Sequence, residues 1–266
     1  MENASLRGFE NLLNVMKRLR SPEGCPWDRE QTKYTLKWYL IEECYEVLDA
    51  IDLDSAKKLK EELGDTLFQI IFLAELSEEK GDFDIFDVIN SAREKMIRRH
   101  PHVFSDKIVK DSREVKKIWW KIKEEEKGEE EGSIFDSIPQ PLPSLLRAFR
   151  VTKRAANVGF DWGSLEGALD KLEEEIGEFK ETLRYKNSDR VEDELGDILF
   201  SLVNLCRFLE INPEEALRKT ITKFTARFKK MERLLKKEGK KIGDATPEEM
   251  DKLWDNAKRR DNPLQG

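Results

Sequence analysis

The feature that most constrains this chain is that it writes one acidic pattern twice. "EECYE" at 42–46 returns as "EEIGE" at 174–178, and an offset of 132 that lays Glu42 on Glu174 also lays "EELGDTLFQIIFL" (61–73) on "DELGDILFSLVNL" (193–205). A small shift then places "DVINSAREKMIRRH" (87–100) on "EALRKTITKFTARF" (215–228), and further on "IWWKIK" (118–123) meets "LWDNAK" (253–258). Landmarks recurring in one order are the mark of a duplicated unit, so the fold must be built twice.

Both copies carry helical periodicity. Amphipathic helices are expected over 5–20, 34–52, 55–79, 84–99 and 112–127, then over 144–157, 166–184, 188–209, 213–238 and 247–259, with no convincing alternating strand. The chain should therefore be all-α. The acidic and proline-bearing run 127–143, with Pro139, Pro141 and Pro143, cannot lie inside a helix and reads as the linker between domains 1–126 and 144–266. The segment 66–76 is apolar nearly all round, with Phe68 and Phe72 opposite the face that packs in its own hairpin, and it needs cover on two sides. Four-helix-bundle-type cores follow, completed between subunits or between repeats; a homodimer is the expected form.

Charge narrows the partners. At 266 residues, with 38% hydrophobic and 39% charged residues of mixed sign, the chain can bury a core and solvate its helix faces. A net charge of −7 argues against a nucleic-acid binder. No apolar run is long enough to span a membrane, and the N-terminus lacks a signal-peptide core, so a cytoplasmic protein with no membrane partner is expected. Cys25, Cys44 and Cys206 form no CxxC; Cys44 and Cys206 lie in apolar helical patterns and read as reduced core thiols.

On a helix Glu42, Glu43 and Glu46 fall within an arc of about 100°. Lys58, Glu62 and Asp65 share a face of the next helix, beside Leu63, Leu67, Ile70, Ile71 and Ala74. The short turn "IDLDSA" makes the two helices an antiparallel hairpin that can gather Glu43, Glu46, Glu62 and Asp65 at one depth. Four carboxylates repel one another unless a hard cation neutralises them. Oxygen-only ligation favours Mg2+, with Mn2+ as a substitute; ferritin-type iron would need a Glu-x-x-His element, and His100 and His102 lie in a turn. A lone "EExxE" means little in so acidic a chain, whereas a paired motif present twice with "ELGD" unchanged points to a metal site.

Lys95 and Arg99 stand four apart on one face, as do Lys223 and Arg227, and suit a clamp for a polyphosphate as well as they suit a solvated face. Trp119 with Lys123, and Trp254 with Lys258, fit either a core position or a cover for a base or ribose. No GxxxxGK[ST] loop exists to hold phosphates.

These motifs, with "CPWDREQT" (25–32) ahead of the first copy and "GFDWGSLEGALDK" (159–171) ahead of the second, resemble the MazG nucleoside triphosphate pyrophosphohydrolases over nearly the whole chain. The resemblance implies a helical homodimer that hydrolyses nucleoside triphosphates with Mg2+ between the α and β phosphates, giving monophosphate and pyrophosphate, in clearing or regulating nucleotide pools. By position it assigns metal binding to Glu43, Glu46, Glu62 and Asp65 and to Glu175, Glu178, Glu194 and Asp197. Glu42 and Glu174 would stand beside them as bases or supporting groups, and Lys58 near the phosphates. The sequence departs from the family pattern at Arg190, in the place of that lysine in the second copy, and at Lys33, where histidine is expected. The competing reading is a nucleotide- and metal-binding regulatory module with one or both repeats non-catalytic.

Overall fold

The computed structural model describes residues 2–105, 107–126, 132–185 and 188–259. Among them there is no strand, and the fold is all-α. The chain divides into two compact units, Met1–Glu130 and Glu131–Gly266.

The first unit is built from α1 (Glu2–Arg20), α2 (Pro26–Glu30), α3 (Lys33–Asp52), α4 (Ala56–Glu78), α5 (Ile85–Arg99), α6 (Pro101–Phe104) and α7 (Ser112–Glu125). Its helix starts are written in the sequence. Thr32 and Thr35 form a capping box at α3, Asp84 and Asp87 another at α5, and the Ser55 hydroxyl accepts from the Lys58 amide at α4. Between α3 and α4 the chain reverses through Asp54 at φ 48°, a left-handed position that aspartate tolerates. Before α2, Gly24 turns so close to α1 that a Cβ there would fall 2.2 Å from the Leu19 carbonyl oxygen.

α4 is the central element, with α3 along one side and α1 and α5 on others. Met16 of α1, Leu36 of α3, Ile71, Phe72, Ala74 and Leu76 of α4 and Ile85 of α5 form the buried core, and Phe68 packs against it. At the end of α1, Arg20 forks onto Glu79 and donates to the Asp28 carbonyl, while its guanidinium lies 5.6 Å from the centre of the Phe72 ring. The hairpin seam differs from expectation. Ile71 and Ala74 are buried, but Leu63, Leu67 and Ile70 of α4 remain exposed, as do Tyr45, Leu48 and Ile51 of α3. Cys44 is likewise exposed rather than a core thiol, because it points to this uncovered side; Cys206 is half-buried, and burial pushes its thiol pKa up.

The second unit repeats the plan with α8 (Ser144–Asn157), α9 (Leu165–Tyr185), α10 (Ser188–Phe208), α11 (Pro213–Lys237), a 3-10 turn at Ile242–Asp244 and α12 (Pro247–Arg259). α10 takes the central place, with α9 and α8 against it, and α11 lies on α8 and α12. Val203, Met231, Leu235 and Ala257 are buried. Asn204, the polar intruder in the apolar run, is 2% exposed yet satisfied: its Oδ1 accepts from Arg207 at 2.9 Å, and Arg207 also binds the carboxylate of Asp161 in "GFDW". Residues 127–131 of the expected linker lie outside the described residues. Part of the remainder is held to the second unit, since Ile138 is buried and Arg154 donates to the Ile134 carbonyl.

Candidate metal and nucleotide site

Each hairpin gathers carboxylates as the helical spacing requires. Oxygen atoms of Glu43, Glu62 and Asp65 all lie within 4.8 Å of one another, and so do those of Glu175, Glu194 and Asp197. Glu46 stands outside the first trio but close enough for its charge to act on Glu62. Glu178, one turn beyond Glu175, is exposed and stands outside the tight trio.

In the first set, burial raises the pKa of Glu43, and the charges of Asp65, Glu46, Glu62 and Glu42 raise it further. Burial likewise raises Glu62, followed by the charge of Glu46 and the hydrogen bond with it. A carboxyl whose pKa rises on folding opposes folding while it is ionised. That penalty is fully present at neutral pH, is relieved as pH falls through the raised value, and is gone below the ordinary carboxylate range. Glu43→Gln should therefore stabilise the metal-free chain at pH 7 and lose that advantage as the pH falls to 4. Urea unfolding at the two pH values checks this; destabilisation at pH 7 would contradict it.

In the second set Nζ of Lys171 lies 2.8 Å from Glu174 and 2.9 Å from Glu175, and these hydrogen bonds, Glu174 first, raise the lysine pKa well above its ordinary value. This ammonium was legible as an i, i+3 and i, i+4 partner of the two glutamates. Glu42 and Glu174 are both exposed at the flank of their sets, and Glu174 is engaged by Lys171.

The cations proposed for phosphate are placed less uniformly. Lys58 and Arg190 are exposed in the first turns of α4 and α10, on the helices that carry Glu62 and Glu194. Lys95 is exposed on α5, on a helix face shared with Asp87, Asn90, Ser91 and Arg98. Arg99 turns instead toward α7, where it and Arg98 pair with Glu126 and its guanidinium lies 5.1 Å from the Trp119 ring centre. The Arg99 and Arg98 hydrogen bonds hold the Glu126 carboxyl down at about 2. In the second unit Lys223 is exposed and Arg227 half-buried on α11. Trp254 of α12 packs 4.9 Å from Phe224, with the Lys258 ammonium 5.9 Å from its ring centre. Trp119 thus links α7 to α5, and Trp254 links α12 to α11; the Lys123 side chain lies outside the described residues. Lys33 is exposed at the first position of α3.

Each hairpin of this all-α fold presents a close, oxygen-only carboxylate trio, a donor set that fits a hard divalent cation. The profile of the MazG nucleotide pyrophosphohydrolase domain matches residues 31–104 and 164–231, and the chain belongs to that family. It is 48% identical over 253 residues to the nucleoside triphosphate pyrophosphohydrolase/pyrophosphatase MazG of Thermotoga maritima, covering 95% of this chain and 96% of the relative. It is 44% identical over 260 residues to the nucleoside triphosphate pyrophosphohydrolase of Escherichia coli, covering 96% and 99%. Among solved structures it matches a mazG-related protein from Thermotoga maritima with a TM-score of 0.38 and 30% identity, over 43% of this chain and 98% of that one.

Proposed function

We propose that the chain is a magnesium-dependent nucleoside triphosphate pyrophosphohydrolase, converting NTP and water to NMP and pyrophosphate at the carboxylate set of each repeat. The observation that carries this reading is the pair of carboxylate trios, each with its oxygens within 4.8 Å, on the two segments that match the family. Their donors are all hard oxygens, and burial first, then the neighbouring carboxylates, raise the pKa values of Glu43 and Glu62, so the residues fit Mg2+ or Mn2+. Glu43, Glu46, Glu62 and Asp65 would hold metal in the first repeat, and Glu175, Glu178, Glu194 and Asp197 in the second. Bound there, a divalent ion would supply a lowered pKa for water and neutralise charge on the departing pyrophosphate.

The chain's own groups supply the rest. The rigid i, i+3 spacing on α3 and α4, or α9 and α10, fixes where the carboxylates stand. Glu42 and Glu174, at the flank, would accept a proton from water. Lys58, Lys95 and Arg99, or Arg190, Lys223 and Arg227, would hold the outer phosphates, with a phosphate replacing Glu126 on Arg99. Trp119 and Trp254, with Lys123 and Lys258, are assigned to the nucleoside end.

Turnover should vanish on exhaustive chelation and return with Mg2+ or Mn2+ but poorly with Zn2+; undiminished turnover in the stripped protein would exclude this mechanism. Lys223→Ala and Arg227→Ala should weaken triphosphate binding by roughly tenfold each and monophosphate binding little; calorimetry giving equal losses for both ligands would remove the clamp. We further assign the protein to a cytoplasmic homodimer that clears or regulates nucleotide pools. Among the described residues no helix is long and apolar enough to cross a membrane. The uncovered side chains Trp38, Tyr45, Leu48, Leu63 and Leu67 supply the apolar face a second copy would bury. Light scattering at micromolar concentration should give twice the chain mass, and a compact monomer would contradict the dimer.

A further inference from the structure

The two carboxylate sets differ in what stands beside their most buried member. Glu175 is 6% exposed, and the Lys171 ammonium reaches it from one turn back at 2.9 Å while touching Glu174 at 2.8 Å. The 132-residue offset puts Tyr39 in the corresponding place of the first repeat. Tyr39 brings no charge and packs edge-on against Trp27, with ring centres 5.9 Å apart. The charges acting most strongly on Glu43 come instead from Asp65, Glu46, Glu62 and Glu42, all of them carboxylates.

We propose that Lys171 is a positioning residue that keeps a fixed positive charge on Glu175, so that the second site binds divalent metal more weakly than the first. The inference rests on the metal reading of the carboxylate sets. An ion held by Glu175, Glu194 and Asp197 would share the Glu175 carboxylate with the ammonium, which lies 2.9 Å from one of its oxygens. A monovalent and a divalent cation sharing one carboxylate repel, and the partly exposed lysine is tethered by its helix position, so it relieves the repulsion only by swinging toward Glu174. Lys171 and Glu175 form an ion pair whose carboxylate is buried, and a pair at the strong end of the range for partly exposed ones changes affinity by about fivefold. The two sites then fill at different metal concentrations, and the tyrosine-for-lysine exchange between the repeats is the cause.

The test is Mn2+ binding to the full chain without nucleotide, read from the electron paramagnetic resonance of the free ion. With the first set disabled by Glu43→Gln and Glu46→Gln, the remaining site should bind Mn2+ about fivefold tighter when Lys171→Gln is added, and Lys171→Arg should restore the weaker binding. With the second set disabled by Glu175→Gln and Glu178→Gln, Lys171→Gln should leave the first site unchanged. Circular dichroism establishes that each variant keeps its helices. Unchanged or weaker Mn2+ binding on adding Lys171→Gln overturns the inference and leaves the metal reading standing. No Mn2+ at the second set in any background overturns both.

Discussion

Replacing Glu43 and Glu175 together by glutamine is expected to lower magnesium-dependent turnover by about a thousandfold, the scale of losing a central electrostatic contribution to a phosphoryl-transfer transition state. The two residues occupy corresponding places, each within 4.8 Å of a glutamate and an aspartate on the facing helix. Glutamine keeps the shape and removes the charge that draws the cation. The helices should survive, because glutamine keeps the length and volume of each side chain and Glu43 sits where charge opposes folding. Either variant alone should remove only part of the turnover, since the other set is intact. Steady-state rates for the wild type, both single variants and the pair decide the matter. Activity of the pair within about tenfold of wild type would mean that these carboxylates do not hold the catalytic ion.

Phe72→Ala should cost about 3–5 kcal/mol of stability, the range for removing a fully buried aromatic ring from a close-packed core. The ring is 2% exposed, lies 6.3 Å from Phe68 by ring centres, and supports the Arg20 guanidinium that fastens α1 to Glu79. Its removal leaves a cavity lined by helices from four parts of the first unit, which cannot collapse without loosening the α1 contacts. Urea denaturation followed by circular dichroism measures the loss. Trp38→Ala makes the contrast: the indole is 64% exposed within one chain, so it should cost little in a monomer and weaken self-association in a dimer. A Phe72→Ala loss below about 1 kcal/mol would show that α4 is not the structural centre of the unit.

The repeat made the hairpins and their carboxylates legible, because i, i+3 spacing on a helix is geometry that survives any packing. The short helices at Pro26–Glu30 and Pro101–Phe104 were not legible, since each begins with proline and spans barely a turn, which leaves no period to read. Which face of α4 is covered was also hidden. Leu63, Leu67 and Ile70 look as apolar as Phe68, Ile71 and Phe72, and only the arrival of α1 and α5 selects the latter group within one chain. Arg99 shows the same limit, for its spacing from Lys95 fits a clamp whether or not a carboxylate from the end of α7 occupies it. Lys171 was visible as a helical ion-pair partner, but its importance depends on Glu175 being the buried member of its set.

Product identity decides whether the carboxylate hairpins serve hydrolysis between the α and β phosphates. ATP incubated with the protein and Mg2+ should yield AMP and pyrophosphate in equal amounts, resolved by phosphorus nuclear magnetic resonance, with no ADP at any time. ADP and phosphate as the products, or bound ATP with no product, would contradict it.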